Sequence, residues 1–141
     1  GARAVTPTLT VLVCGSRDWP APERPTIRAW LARLPPGTVI IHGAARGADT
    51  LAGEVAAELG FTVRPYPVDP ALDGPWPAAG IRRNARMLAA EPSVSRCLAF
   101  TAALMRGSGA SRRLTGTGDM CARCIEAGVV VTVVPPGGRA L

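Results

Sequence analysis

Three short turns carry the residue types that hold phosphates. They are Cys14-Gly15-Ser16-Arg17, Gly43-Ala44-Ala45-Arg46-Gly47-Ala48-Asp49 and Thr115-Gly116-Thr117-Gly118. Glycine lets backbone N–H groups close on an anion, and a helix that starts there presents its positive end. Hydroxyls and arginines add further donors. The candidate ligand-binding residues in these turns are Gly15, Ser16, Arg17, Gly43, Arg46, Gly47, Asp49, Thr115, Gly116 and Thr117. Arg83 and Asn84, one turn into another helical segment, would close the same site from the side. Asp49 is expected to cap its own helix and also to hold Arg46 or a ribose hydroxyl.

These turns need elements to position them. Leu9 to Cys14 is an apolar, β-branched run bounded by Gly15, the pattern of a buried parallel strand. Pro20, Pro22 and Pro25 then open a helix to about Leu34, with Ile27, Trp30, Leu31 and Leu34 on one face. Pro35-Pro36-Gly37 stops it, and Thr38 to His42 is a second strand. The helix after Gly47 puts Leu51, Ala52, Val55, Ala56 and Leu59 on one side and ends at Gly60. Phe61 to Tyr66 is a third strand. Five prolines between Pro65 and Gly80 predict a long irregular loop with no helix.

The segment from Ala78 to about Ala90 predicts a helix with Ile81, Ala85 and Leu88 inward. Its first turns carry Arg82, Arg83 and Arg86. Cations at a helix N-terminus oppose its dipole, so these arginines point to a ligand. A fourth strand (Arg96 to Thr101), a polar loop (Ala102 to Leu114), a last helix (Thr117 to Ala127) and a fifth strand (Val129 to Val134) follow. Alternating strands and helices build an α/β fold, a doubly wound three-layer α/β/α sandwich with about five parallel strands. All three turns fall at the C-terminal strand edge, where such sheets bind ligands. Residues 1–8 read as a disordered lead-in, 9–135 as one domain and 136–141 as a tail.

The formal net charge of +6 comes from 16 basic residues, every one an arginine, which suits nucleotides or nucleic acid but also follows from a GC-rich coding bias. The longest apolar run, Val129 to Val134, is far short of the roughly 20 residues a membrane helix needs. The N-terminus shows no export signal, so a cytoplasmic location with no membrane partner is the expectation. Cys121 and Cys124 form a C-x-x-C, yet they share the apolar face of the last helix. Cys14 and Cys97 provide no second pair at zinc-site spacing. Free core thiols, no metal and no cofactor are expected. His42 ends a strand and reads as a structural histidine. Tyr66 and Trp76 flank the proline loop and are candidates to stack on a base.

Gly15-Ser16-Arg17, His42-Gly43-Ala44-Ala45-Arg46-Gly47-Ala48-Asp49, the segment Ala79 to Leu88 and Gly116-Thr117-Gly118-Asp119-Met120, in this order, resemble the YspA-like branch of the SLOG superfamily. The superfamily includes the Lonely Guy phosphoribohydrolases and the DNA-processing protein DprA, and the resemblance runs from about Leu9 to Val134. It implies a Rossmann-like domain binding nucleotides or nucleotide-derived small molecules. In Lonely Guy enzymes an Arg-Lys pair and a glutamate after Gly-Thr do the chemistry. Here the arginine corresponds to Arg83, Asn84 stands for the lysine, and Met120 stands for the glutamate, with Asp119 beside it. Methionine can neither steady a ribosyl cation nor activate water, which leaves Arg83 and Asp119 as weak catalytic candidates.

The leading expectation is binding or sensing of a nucleotide-like small molecule. The second is N-glycosidic cleavage of a nucleoside monophosphate, as in a phosphoribohydrolase. Single-stranded DNA binding of the DprA type ranks third, because the arginines gather at loop mouths instead of along an aromatic-lined groove. A homodimer is implied by the resemblance alone.

Overall fold

The computed structural model describes residues 8–139, so the lead-in apart from Thr8, and the last two residues of the tail, lie outside the described residues. Strands β1 (Thr10–Gly15), β2 (Val39–His42), β3 (Thr62–Pro65) and β4 (Val94–Phe100) join a last strand, Val130–Val134, in one parallel sheet. Between β4 and that last strand, β5 (Met105–Arg106) and β6 (Arg113–Leu114) form a small antiparallel hairpin, which makes the last strand β7. The sheet order is β3-β2-β1-β4-β7. The helices are α1 (Arg24–Leu31), α2 (Ala48–Glu58), α3 (Pro70–Asp73), α4 (Ala79–Ala90) and α5 (Gly116–Glu126).

Both sheet faces are covered, so β1, β2 and β4 from Cys97 onward run nearly unbroken in apolar residues instead of alternating. Val11 and Val13 of β1 pack with Ile27 and Leu31 of α1 and Ala52, Val55 and Ala56 of α2. Leu12 and Cys14 turn to the opposite face, against Met87 of α4 and Met120, Cys121 and Cys124 of α5. Each fully buried Leu or Ile side chain contributes about 1.5–3 kcal/mol. This is the three-layer, Rossmann-like α/β/α sandwich expected from the alternating pattern.

The chain steps outward from β1 to β2 and β3, then returns to β4 on the other side of β1. The connections after β1 and β4 therefore diverge, which opens a crevice between their C-terminal ends. Register pairs Gly15 with Phe100, so Ser16 and Thr101 stand at its mouth. Among the described residues no helix is long and apolar enough to cross a membrane.

Three local readings change. The proline loop does contain a helical turn, α3: Pro70 occupies a position needing no N–H donor, and Asp69 Oδ1 accepts from Ala71 N at 3.0 Å. The loop after β4 holds the β5–β6 hairpin. The buried residues of α4 are Ala79, Arg83, Asn84 and Met87, whereas Ile81, expected inward, is 44% exposed. The inner face of α4 is polar at its first turns because hydrogen bonds from other elements satisfy it there. Apolar periodicity cannot report such a face.

Candidate functional site

A cleft of about 450 Å³ lies above the ends of β1 and β4. Of the expected site residues, its wall includes Gly15, Ser16, Arg17, Asp49, Arg83, Asn84, Thr115, Gly116 and Thr117. Gly43, Arg46 and Gly47 are not part of that wall. Gly43 and Gly47 instead carry packing constraints.

Gly47 has φ +82°, and a Cβ there would strike the carbonyls of Ser16 and Arg17. Gly15 lies so close to the Phe100 carbonyl and the Ala48 side chain that a Cβ has no room. Ser16 N donates to Phe100 O at 3.0 Å, and Ala48 N to Ser16 O at 3.0 Å. These two glycines let the end of β1 touch both β4 and the start of α2. Gly116, by contrast, has nothing within 4 Å of its would-be Cβ. Gly15→Ala is expected to cost about 1–3 kcal/mol by overpacking, and Gly116→Ala close to nothing. Urea unfolding midpoints of the two variants check this, and equal midpoints would contradict it.

Arg83 is only 7% exposed. Its Nε donates to Asn84 Oδ1 at 3.2 Å, and Nη1 donates to the carbonyls of Gly43 and Tyr66. A Cβ at Gly43 would press into the guanidinium. Nη2 makes no hydrogen bond to a described residue, and Arg83 forms no ion pair with one. Burial pushes its pKa below the usual arginine range, with Asp49 and Asp73 opposing that shift and Arg17 and Arg86 adding to it. The result is a desolvated cation on the cleft wall with one nitrogen unspent.

Asp49 is 5% exposed and does not cap its own helix. Its Oδ2 accepts from Gly43 N at 3.0 Å and Ala45 N at 3.4 Å, tying down the turn after β2. Burial pushes its pKa up to about 6, against the pull of these N–H groups, Arg83 and Arg17. Arg46 is exposed and is not its partner. His42 is buried, its Nδ1 accepts from Ala44 N at 2.9 Å, and burial beside Arg83 lowers its pKa. It is a structural histidine that shapes the same turn.

The start of α5 forms the opposite wall. Thr115 Oγ1 accepts from Gly118 N at 2.9 Å, so the hydroxyl expected to serve a ligand is committed to capping the helix. A Cβ at Gly118 would strike the Leu104 carbonyl, which explains that glycine. The N–H groups of Gly116 and Thr117 belong to the first turn and have no intrahelical partner. Asn84 Nδ2 reaches Gly116 O at 3.3 Å and Asp119 Oδ2 at 3.2 Å, fastening α4 to α5. Asp119 also accepts from Arg123 Nε at 2.9 Å and does not line the cleft, whereas Met120 does. The wall position that the resemblance assigns to a glutamate is therefore apolar.

Only one of the three α4 arginines faces the cleft. Arg86 is locked to Asp73 by two 2.8 Å bonds, which hold the Asp73 carboxyl well below its ordinary range. Arg82 is exposed. At the rim, the Arg17 guanidinium carbon lies 5.3 Å from the centre of the Trp76 ring, and that ring is 58% exposed. Tyr66, the other stacking candidate, instead gives its hydroxyl to Glu91. Thr101, which sequence reasoning missed, is buried, and its Oγ1 is 2.7 Å from Ser16 Oγ. Its signal was available: a polar residue directly after the buried run of β4, as Ser16 is after β1. Arg106 in the β5–β6 hairpin also lines the cleft and was indistinguishable from other loop arginines.

Comparison with known proteins bears on this geometry. Gene 61 protein of Mycobacterium phage D29 is 40% identical over 99 residues, covering 64% of this chain and 74% of that protein. The X-ray structure of DNA processing protein A (DprA) from Streptococcus pneumoniae superposes with a TM-score of 0.66 at 19% identity, over 91% of this chain. The chain spans 50% of that DprA chain, and the likeness is one of fold. The sequence pattern of the YspA, cpYpsA-related SLOG family matches residues 9–71, which carry β1 to β3 and the turns after β1 and β2. The chain belongs to the YspA, cpYpsA-related SLOG family.

Proposed function

We propose that the cleft binds or senses a nucleotide or nucleotide-derived small molecule. Its phosphate would lie between Arg83 Nη2 and the first N–H groups of α5, and its base toward Trp76. The observation that carries this reading is Arg83: a buried guanidinium with no ion pair among the described residues and an open nitrogen beside a helix N-terminus. A buried cation is costly until an anion joins it, and a helix start supplies further donors to a phosphate. Arg17 and Trp76 at the rim offer a cation and a flat apolar face. The chain itself would act as a small SLOG domain of residues 9–135, and a homodimer fits the exposed Ile125 and Val130 beside the edge strand β7.

Thermal unfolding in the presence of millimolar nucleoside monophosphates and ADP-ribose tests the reading. Ligand at 100 times Kd adds about 2.7 kcal/mol of stability, so a rise of several degrees is expected from at least one of them. No shift from any would contradict it.

Asp49 favours a second reading, base release from a nucleoside monophosphate. It is a carboxyl on the cleft wall with a pKa near 6, in the range suited to proton transfer. Chromatography for free base separates cleavage from binding, and loss of release in Asp49→Asn would assign the role. Single-stranded DNA binding has only the fold likeness to DprA beside the arginine charge, and predicts an affinity that falls steeply with salt.

A further inference from the structure

All four cysteines of the chain meet beneath the cleft, in the core between the sheet and α4 and α5. Cys14 is in β1, Cys97 in β4, and Cys121 and Cys124 in α5. The Sγ atoms of Cys14, Cys97 and Cys121 lie within 4.8 Å of one another, and those of Cys14 and Cys97 are 3.7 Å apart. Read along the chain, the C-x-x-C had no second pair. The fold supplies one from two neighbouring strands.

The spacing fits metal thiolates better than a cross-strand disulfide. Four sulfurs around one ion at about 2.3 Å stand about 3.8 Å apart in a tetrahedron, close to the Cys14–Cys97 separation. A disulfide needs its Cα atoms within about 7 Å. In the register Cys14 lies opposite Ala99, and Cys97 opposite Leu12. That two-residue offset on neighbouring parallel strands separates the two Cα atoms by about 8 Å. Sulfur is the only donor type in the cluster, and Met87 and Met120 are buried alongside it. Such a set selects soft, thiophilic cations over magnesium or calcium. Cys14 also lines the cleft, which gives an ion a way in.

We propose that Cys14, Cys97 and Cys121 form a buried site for one thiophilic cation, Cu⁺ or Zn²⁺. On binding, the thiols release their protons to solvent as metal–sulfur bonds form, with no change of oxidation state. The ion fastens β1, β4 and α5, the three elements that frame the cleft. Cu⁺ is satisfied by three thiolates. Zn²⁺ needs a fourth ligand, for which the candidate is Cys124, three residues after Cys121 on α5 and buried in the same core cluster.

The test is a titration of the reduced, chelator-treated chain, under nitrogen, with Cu⁺ and separately with Cd²⁺ as the spectroscopic stand-in for Zn²⁺. Expected is an ultraviolet thiolate-to-metal band that saturates at one equivalent, with a rise in melting temperature. Cys97→Ala, checked for folding by far-ultraviolet circular dichroism, is expected to lose at least tenfold in affinity. Cys14→Ala serves if that variant fails to fold. Cys124→Ala is expected to weaken Cd²⁺ and leave Cu⁺ unchanged. No band with either cation, or wild-type affinity in both Cys97→Ala and Cys14→Ala, would overturn the site. So would intact-mass detection of a disulfide formed in air by a chain that takes up neither ion.

Discussion

Replacing Arg83 by alanine is expected to weaken the binding of a nucleoside 5′-monophosphate by about 100-fold or more, equal to about 2.7 kcal/mol. The fold already buries most of the guanidinium, so an arriving phosphate gains its attraction with little further desolvation of Arg83. Arg83→Lys keeps the charge but loses the planar fork. It should fall between wild type and alanine. Arg46→Ala should bind like wild type, because Arg46 is exposed and outside the cleft wall. Alanine at 83 also leaves the carbonyls of Gly43 and Tyr66 without their donor. Calorimetric titration must therefore be run well below the melting temperature of that variant. An unchanged Kd in folded Arg83→Ala would contradict the placement of the phosphate.

Asp49→Asn is expected to stabilise the protein at pH 7.5 while leaving it unchanged at pH 4. The native carboxyl has its pKa raised from 3.8 to about 6 by burial. The folded state therefore holds the proton more tightly than the unfolded chain does. That stabilisation is complete below about pH 4 and is lost as pH rises through 6. The carboxylate at pH 7.5 thus costs on the order of 3 kcal/mol relative to its protonated form. Asparagine keeps an oxygen for the N–H groups of Gly43 and Ala45 and removes the charge. Urea unfolding of both proteins at the two pH values measures the difference, and parallel pH profiles would contradict it. A charge kept at such a cost, beside Arg83 in a cleft, belongs with function more than with folding.

Much of the scaffold was legible because it rests on local patterns. Val11 to Cys14 and Ile40-Ile41 are unbroken apolar runs ended by glycine or histidine, and both became central strands. Gly60, with φ of +83°, sits where a helix-ending glycine is expected. Ser16, Arg17 and Asp49 reached the cleft because strand ends and helix starts in a parallel sheet share one edge. What escaped depends on partners distant in sequence. The inward turn of Arg83 is set by the carbonyls of Gly43 and Tyr66, 40 and 17 residues away. Arg86 looked like another ligand donor until Asp73 neutralised it across α3 and α4. Gly47 was read as an anion contact, while its actual constraint is the backbone of Ser16 and Arg17. The thiols of Cys14 and Cys97, 83 residues apart, meet only once β4 lies beside β1.

A phosphorylated small molecule held in this cleft through Arg83 and the start of α5 would be visible as added mass. Native mass spectrometry tests it most directly, first on protein purified without added nucleotide and then with adenosine monophosphate titrated in, wild type beside Arg83→Ala. Expected is a one-to-one adduct in the wild type, either co-purified or formed on titration, and its loss in the variant. A wild type that stays bare throughout, or an adduct equally abundant in both proteins, would contradict it.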